Sequence, residues 1–116
     1  MKDWPEVMRR RTKAFALSVI RFCRTLPHTA EGDVFRRQLL KSATSVGANY
    51  RAVCRGRSDG EKKAKMGIVG EESDESQFWL EILTEVSLGQ ASLRKQLLAE
   101  ATELTAIFTR SYANMD

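Results

Sequence analysis

The chain has 116 residues, of which 42% are hydrophobic, and it carries 19 Lys and Arg against 15 Asp and Glu. This length fits a single domain over residues 1–116, and the balance of apolar and charged residues excludes a disordered or fibrous chain. No apolar run is long enough for a membrane span or a secretory signal, so we expect a cytoplasmic protein with Cys23 and Cys54 reduced.

The first two predicted helices each carry one apolar stripe. Helix one is predicted from about Trp4 to Thr25 with Asp3 as its N-cap, and its stripe consists of Phe15, Val19, Phe22 and Leu26. Helix two is predicted from about Asp33 to Arg55, and its stripe consists of Leu39, Ala43, Val46, Tyr50 and Val53. The opposite side of helix two carries what we call the basic strip: Arg37, Lys41, Arg51 and Arg55.

Helix three is predicted from about Asp59 to Val86, because Ser58-x-x-Glu61 forms a capping box at its start. Its late core stripe is expected to be Phe78, Ile82 and Val86, with Trp79 and Leu83 beside it. Gly67 and Gly70 interrupt this helix, which predicts that a neighbouring backbone approaches closely there.

Gly89 ends helix three, and a fourth helix is predicted from about Gln90 to Tyr112. Its apolar residues are Leu93, Leu97, Leu104, Ile107 and Phe108. The sequence contains no strand-like alternation, and the predicted connections are short. These features predict an all-α fold, an up-and-down antiparallel four-helix bundle.

Charge is divided unevenly along the chain. Residues 1–65 hold 16 Lys and Arg against 6 Asp and Glu, whereas residues 66–116 hold 3 against 9. A basic half predicts either an acidic partner such as nucleic acid or subunits that meet basic surface to acidic surface.

The basic strip and the cations that follow it are the candidate nucleic-acid-binding residues: Arg37, Lys41, Arg51, Arg55, Arg57, Lys62, Lys63 and Lys65. The strip would extend over about 27 Å, at roughly 1.5 Å per residue, which is enough to contact several backbone phosphates. No base-reading motif accompanies it, so we expect binding to RNA or DNA without strong sequence preference. Alternatively, the same charges pair with acidic residues of the same or the next subunit, and the protein is a scaffolding oligomer with protein partners only.

Enzyme chemistry finds little support in the sequence. Glu71, Asp74 and Glu75 share a helical face and could bind a cation, which leaves a metal-dependent enzyme as a third interpretation, but they could equally balance the basic half. The only histidine, His28, lies in a predicted loop, so the Glu-x-x-His pairs of di-iron bundles are absent. We therefore predict no catalytic residue, metal or cofactor.

Four residues are assigned structural or interface roles. Tyr50, Phe78 and Trp79 recur at helical spacing, which is typical of core or subunit-interface aromatics and less typical of a ligand pocket. Asn49 is a polar residue beside the stripe of helix two, so we expect it to hydrogen-bond the backbone of a neighbouring helix or loop.

Two stretches, "QLLKSATSVGANYRAVCRGRS" and "KMGIVGEESDESQFWLEIL", together with "EATELTAIFTRS", resemble the four-helix-bundle family first noticed in intervening sequences of bacterial 23S rRNA genes. The likeness rests on Ser45-Val46-x-x-Asn49 and on Asp74-Glu75-Ser76-x-x-Trp79-Leu80-Glu81. The resemblance implies a small cytosolic bundle that assembles as a ring of five subunits. It also implies kinship with the accessory variability protein of diversity-generating retroelements, a basic pentamer that looks like a partner of nucleic acid and reverse transcriptase.

Overall fold

The computed structural model describes residues 3–116, which form the four helices α1 (Trp4–Cys23), α2 (Ala30–Cys54), α3 (Asp59–Glu85) and α4 (Ala91–Ala113). Loops of residues 24–29, 55–58 and 86–90 connect them. Each helix packs against the next one, and α1 also packs against α4, so the predicted up-and-down bundle is confirmed. Within residues 3–116, none of the helices combines the length and apolarity that crossing a bilayer requires.

The start of α2 differs from the prediction. The helix begins at Ala30, three residues before the expected Asp33, because Thr29 supplies the N-cap and its Oγ1 accepts a hydrogen bond of 3.1 Å from the Gly32 N–H. A side chain at position 32 would collide with the carbonyl oxygen of Pro27. Glycine therefore allows the preceding loop to pack against the first turn of α2.

The other helix starts show which caps act through their side chains. The Ser58 hydroxyl accepts a hydrogen bond of 3.1 Å from the Glu61 N–H, as the capping box predicted. Before α4, Gln90 Oε1 accepts one of 2.7 Å from the Leu93 N–H. Asp3 occupies the N-cap position of α1, but its side chain makes no capping hydrogen bond, so that part of the prediction is wrong.

The predicted core stripes of α1 and α2 are confirmed, since every member of both is buried. In α4, Leu97, Leu104 and Phe108 are buried, and Leu93 and Ile107 pack against them half-buried. The ring of Tyr50 packs 5.5 Å from that of Phe108, so this tyrosine joins α2 to α4 inside the core.

The predicted late stripe of α3 is wrong for Phe78 and Val86, whereas Leu83 is buried and Trp79 packs half-buried against the core. Phe78 is 49% exposed and Val86 is 51% exposed. The buried face instead repeats every three or four residues as Met66, Val69, Ser73, Ser76, Leu80 and Leu83. Its two serines are small enough for α2 to pack closely, and Ser76 Oγ lies 2.9 Å from Ser42 Oγ across the interface.

The glycines of α3 also differ from the expectation of a close neighbouring backbone. A Cβ at Gly67 would lie 3.1 Å from Cε1 of Tyr112, so the neighbour is a side chain of α4. A Cβ at Gly70 would meet nothing within 4 Å. The prediction of a close neighbouring backbone is therefore wrong for Gly70. At Gly67 a neighbour is close, but it is a side chain and not a backbone.

Candidate nucleic-acid interface

The basic strip lies on the outer side of α2. Its four members are all exposed, because the buried stripe of the same helix faces α1, α3 and α4. Thr44 and Ala48, which lie between them along the helix, are exposed too. Within residues 3–116, no carboxylate forms an ion pair with any of the four. The strip therefore presents charges that the described chain does not neutralise by direct contact.

The remaining candidate cations lie around the α2–α3 turn. Arg57 is exposed in the loop, whereas Lys62, Lys63 and Lys65 are half-buried in the first turns of α3. The Lys63 ammonium lies 5.0 Å from the centroid of the Tyr112 ring, so it faces α4. These lysines thus surround one end of the bundle and do not extend the strip in a straight line.

A groove runs between α1 and α2 beside the strip. It has a volume of about 450 Å³, and its lining residues define what we call the α1–α2 groove: Arg9, Arg10, Lys13, Ala16, Thr44, Gly47, Ala48 and Arg51. Only Arg51 belongs to the predicted candidate set. The α1 cations were not among the predicted residues, although Arg9 and Lys13 are four residues apart and so share a helical face.

Other arginines are held in structural contacts. Arg11 forms a bidentate ion pair with Glu100, in which Nε lies 2.7 Å from Oε2 and Nη2 lies 2.8 Å from Oε1. Its Nη2 also lies 2.9 Å from Glu103 Oε1. Hydrogen bonding to Glu100 raises the pKa of Arg11. Arg36 donates to Asp33 Oδ1 at 2.6 Å and to the Leu26 carbonyl at 2.8 Å. Both guanidinium groups are therefore occupied within the chain.

The carboxylates of α3 lie on its outer side. Glu71, Asp74 and Glu75 are exposed, and Glu72 is half-buried. Burial raises the pKa of Glu72, the charge of Glu75 raises it further, and Lys41 opposes the shift. Within residues 3–116, no three or more His, Cys, Asp or Glu side chains are grouped so that they could hold a metal ion.

Cys23, Cys54 and His28 lie in different environments. Burial raises the pKa of the Cys23 thiol to about 11, so this group is a neutral thiol at physiological pH. Cys54 is free and half-buried. The side chain of His28 is 89% exposed, as expected for a loop residue.

The four residues assigned structural or interface roles occupy different environments. Tyr50 lies in the core. Asn49 Nδ2 donates 2.9 Å to the carbonyl of Ser45 in its own helix, so the predicted bond to a neighbouring helix is wrong. The rings of Phe78 and Trp79 meet at a centroid distance of 5.0 Å, with Phe78 on the outside.

The environment of Trp79 is unusual. Its ring packs 6.2 Å from that of Phe35 on α2, yet its buried Nε1–H finds no acceptor within residues 3–116. Exposed apolar side chains lie close by in the chain, Val34 beside Phe35 and Phe78 beside Trp79. This end of the α2–α3 pair therefore combines exposed apolar surface with an unsatisfied donor.

Comparisons with known proteins agree with the fold. The model of the 23S rRNA-intervening sequence protein family matches residues 7–110. A solved structure of a protein of unknown function from the S23 ribosomal protein family of Bacteroides thetaiotaomicron has a TM-score of 0.84 and 24% sequence identity, and the alignment covers 98% of this chain and 100% of that one. At this identity the similarity shows the fold alone. A search of the curated proteins gives no match.

Proposed function

The chain belongs to the family of 23S rRNA-intervening sequence proteins, and we propose that it is a non-enzymatic homo-oligomer that binds nucleic acid through the basic strip. The ligand in this proposal is an RNA or DNA backbone, presented alone or by a protein that handles nucleic acid, such as a reverse transcriptase. Recognition is through phosphates and without strong sequence preference.

The observation that carries this proposal is the exposure of four cations on one side of α2 that have no ion-pair partner among residues 3–116. Neutralising the phosphates of a polyanion releases condensed counterions, which supplies most of the free energy of non-specific binding. An oligomer would repeat the strip on each subunit, so that weak contacts to a long ligand add up. Binding of this kind weakens steeply as the salt concentration rises.

Self-association is supported by the apolar end of the α2–α3 pair. Phe78 and Val86 are about half exposed. A second copy that covers this surface would remove apolar area from water. We propose five subunits for this oligomer because the resemblance to the family implies a ring of five.

The test replaces Arg37, Lys41, Arg51 and Arg55 by Glu. Because these side chains are exposed and unpaired, helix content and oligomer mass should be unchanged, while binding of labelled RNA and duplex DNA at low salt should be lost. Lys95→Glu with Arg110→Glu, on exposed positions of α4, is the control for a general change of charge. Undiminished binding by the four-residue variant would refute the proposed site.

A scaffolding oligomer with protein partners only is the second candidate, and the exposed Phe78 and Val86 favour it. Under that interpretation the four charge reversals should dissociate the oligomer, because the strip would meet the acidic outer side of α3 in the next subunit. Light scattering on the variant separates the two functions: an intact mass with lost binding supports nucleic acid, and a reduced mass supports the scaffold.

A further inference from the structure

The α1–α2 groove has cationic walls contributed by two helices. Arg9 and Lys13 lie one helical turn apart on α1, and Arg51 lies on α2 at the same groove. Within residues 3–116, none of these three has an ion-pair partner. Arg10 is held only by an exposed contact of 3.5 Å to Glu6. Such an exposed pair contributes little, so Arg10 remains available as well.

The floor of the groove is made of small residues. Ala16, Gly47 and Ala48 line it, and a Cβ at Gly47 would lie only 3.5 Å from the backbone of Thr12, so the two helices approach closely here. The Thr44 hydroxyl donates to the Leu40 carbonyl at 2.7 Å and is thereby used within its own helix. No carboxylate is among the lining residues, so an anion entering the groove would meet cations and apolar floor.

The other side of α1 provides an internal comparison. A second groove, between α1 and α4, also contains an arginine, Arg11, but Glu100 lines the same groove and contacts it at 2.7 Å. Glu103 contacts the same guanidinium at 2.9 Å. On the α4 side of α1, Arg11 is thus paired with carboxylates, whereas on the α2 side Arg9, Lys13 and Arg51 have no ion-pair partner within residues 3–116.

We propose that the α1–α2 groove seats the phosphodiester backbone of a nucleic acid, with Arg9 and Lys13 of α1 as phosphate-binding residues beside Arg51 of α2. The inference rests on the proposed function and adds a second helix to its site. Arg9 and Lys13 are separated by a rise of about 6 Å along α1, a spacing that lets them address neighbouring phosphates of a polymer. The small floor lets the backbone lie between the helices.

Two variants test the charge and the shape of the groove separately. Arg9→Ala with Lys13→Ala removes two cations, and Lys95→Ala with Arg110→Ala is the matched removal from α4. Ala48→Leu fills the groove at an exposed position without changing charge, and Ala99→Leu on exposed α4 is its control. The readout is fluorescence anisotropy of a labelled single-stranded RNA and a labelled DNA duplex at three salt concentrations, with unfolding curves showing that each variant folds.

The expected result is specific to the groove. Arg9→Ala with Lys13→Ala should weaken binding about tenfold at low salt and lower the slope of log affinity against log salt by about 2 on the duplex. Ala48→Leu should weaken binding several-fold with the slope retained, and both α4 controls should bind as the wild type does. These changes together would place the backbone in the groove.

Two results would overturn the inference, and they are distinguishable. If the α1 pair and Ala48→Leu bind as the wild type does while the α2 charge reversals abolish binding, the groove is wrong and the proposed function stands. If the wild type binds neither probe at low salt, the proposed function fails, and the groove inference fails with it.

Discussion

Glu72 holds its charge in an unfavourable environment. It is half-buried on α3 near two like charges, Glu71 and Glu75, and only Lys41 compensates. Its pKa is therefore raised in the folded protein, which means that folding disfavours the ionised form. Relative to an ordinary carboxyl, Glu72 contributes most to stability when protonated at low pH, and this contribution is lost as pH rises through the folded pKa.

Replacing Glu72 by Gln should accordingly raise the free energy of unfolding at pH 7, because the uncharged amide avoids desolvating a carboxylate. The gain should disappear as pH falls below the ordinary carboxyl pKa of 4.5. Urea unfolding at pH 7 and at pH 4 measures this difference. Glu81→Gln, at an exposed position of the same helix, is the control for replacing a carboxylate of α3 by an amide. A loss of stability for Glu72→Gln at pH 7 would contradict the raised pKa.

Replacing Gly89 and Gly70 by alanine should change the free energy of unfolding in opposite directions. Gly89 has φ +81°, and a Cβ there would lie 2.5 Å from Cζ of Phe22, so Gly89→Ala should cost about 2–4 kcal/mol through strain and overpacking. Gly70 lies inside α3, and a Cβ added there would meet open space. Gly70→Ala should therefore raise the free energy of unfolding by up to about 1 kcal/mol. Thermal and urea unfolding of the two variants checks both signs, and equal effects would refute the distinction.

At the scale of elements, α1 is joined to α4 by a charge cluster as well as by apolar packing. The Arg11 guanidinium contacts Glu100 at 2.7 and 2.8 Å and Glu103 at 2.9 Å. Its side chain is 28% exposed and that of Glu100 is 29% exposed, so the two-fold contact is partly shielded from water. Partial shielding makes this pair stronger than an ordinary surface ion pair.

Arg11→Ala should therefore lower the free energy of unfolding by about 1–2 kcal/mol. The control is Arg10→Ala, which removes an exposed pair to Glu6 and should cost less than about 0.5 kcal/mol. Urea unfolding at low and high salt measures both variants. Equal losses would show that the α1–α4 contact depends on packing alone.

The stripes of α1 and α2 were predicted correctly and that of α3 was not, and both outcomes have physical causes. The stripes of α1 and α2 were predictable because a single set of large apolar residues recurs at helical spacing. On α3 the large Phe78 side chain lies outside, as does Val86 just after the helix, while Ser73 and Ser76 are buried. A hydrophobic pattern counts serine as a polar, exposed residue. Serine is nevertheless small enough to be buried where α2 and α3 pack closely, so the pattern predicted the wrong buried face for α3.

At the scale of the molecule, the candidate site was partly predictable. The outer side of α2 followed from the spacing of Arg37, Lys41, Arg51 and Arg55 relative to the apolar stripe of the same helix. The contribution of α1 could not be obtained in this way, because a groove depends on how one helix is rotated against another. The same holds for Arg11, whose partner Glu100 lies 89 residues away in the chain.

Charge and apolar surface are separated across the bundle. Unpaired cations lie along α1 and α2, carboxylates lie on the outer side of α3, and apolar side chains are exposed near Trp79. This division supports an account in which one surface binds a polyanion and other surfaces join subunits. The account's central claim is that the cations serve a polyanion.

The most direct test of that claim is a fluorescence-anisotropy titration of structured RNA and duplex DNA at several salt concentrations, with the oligomer mass measured by light scattering on the same sample. The account predicts binding by an intact oligomer, with affinity that falls steeply as salt rises. An intact oligomer that binds neither nucleic acid even at low salt would contradict it, and would assign the charges of α1 and α2 to assembly.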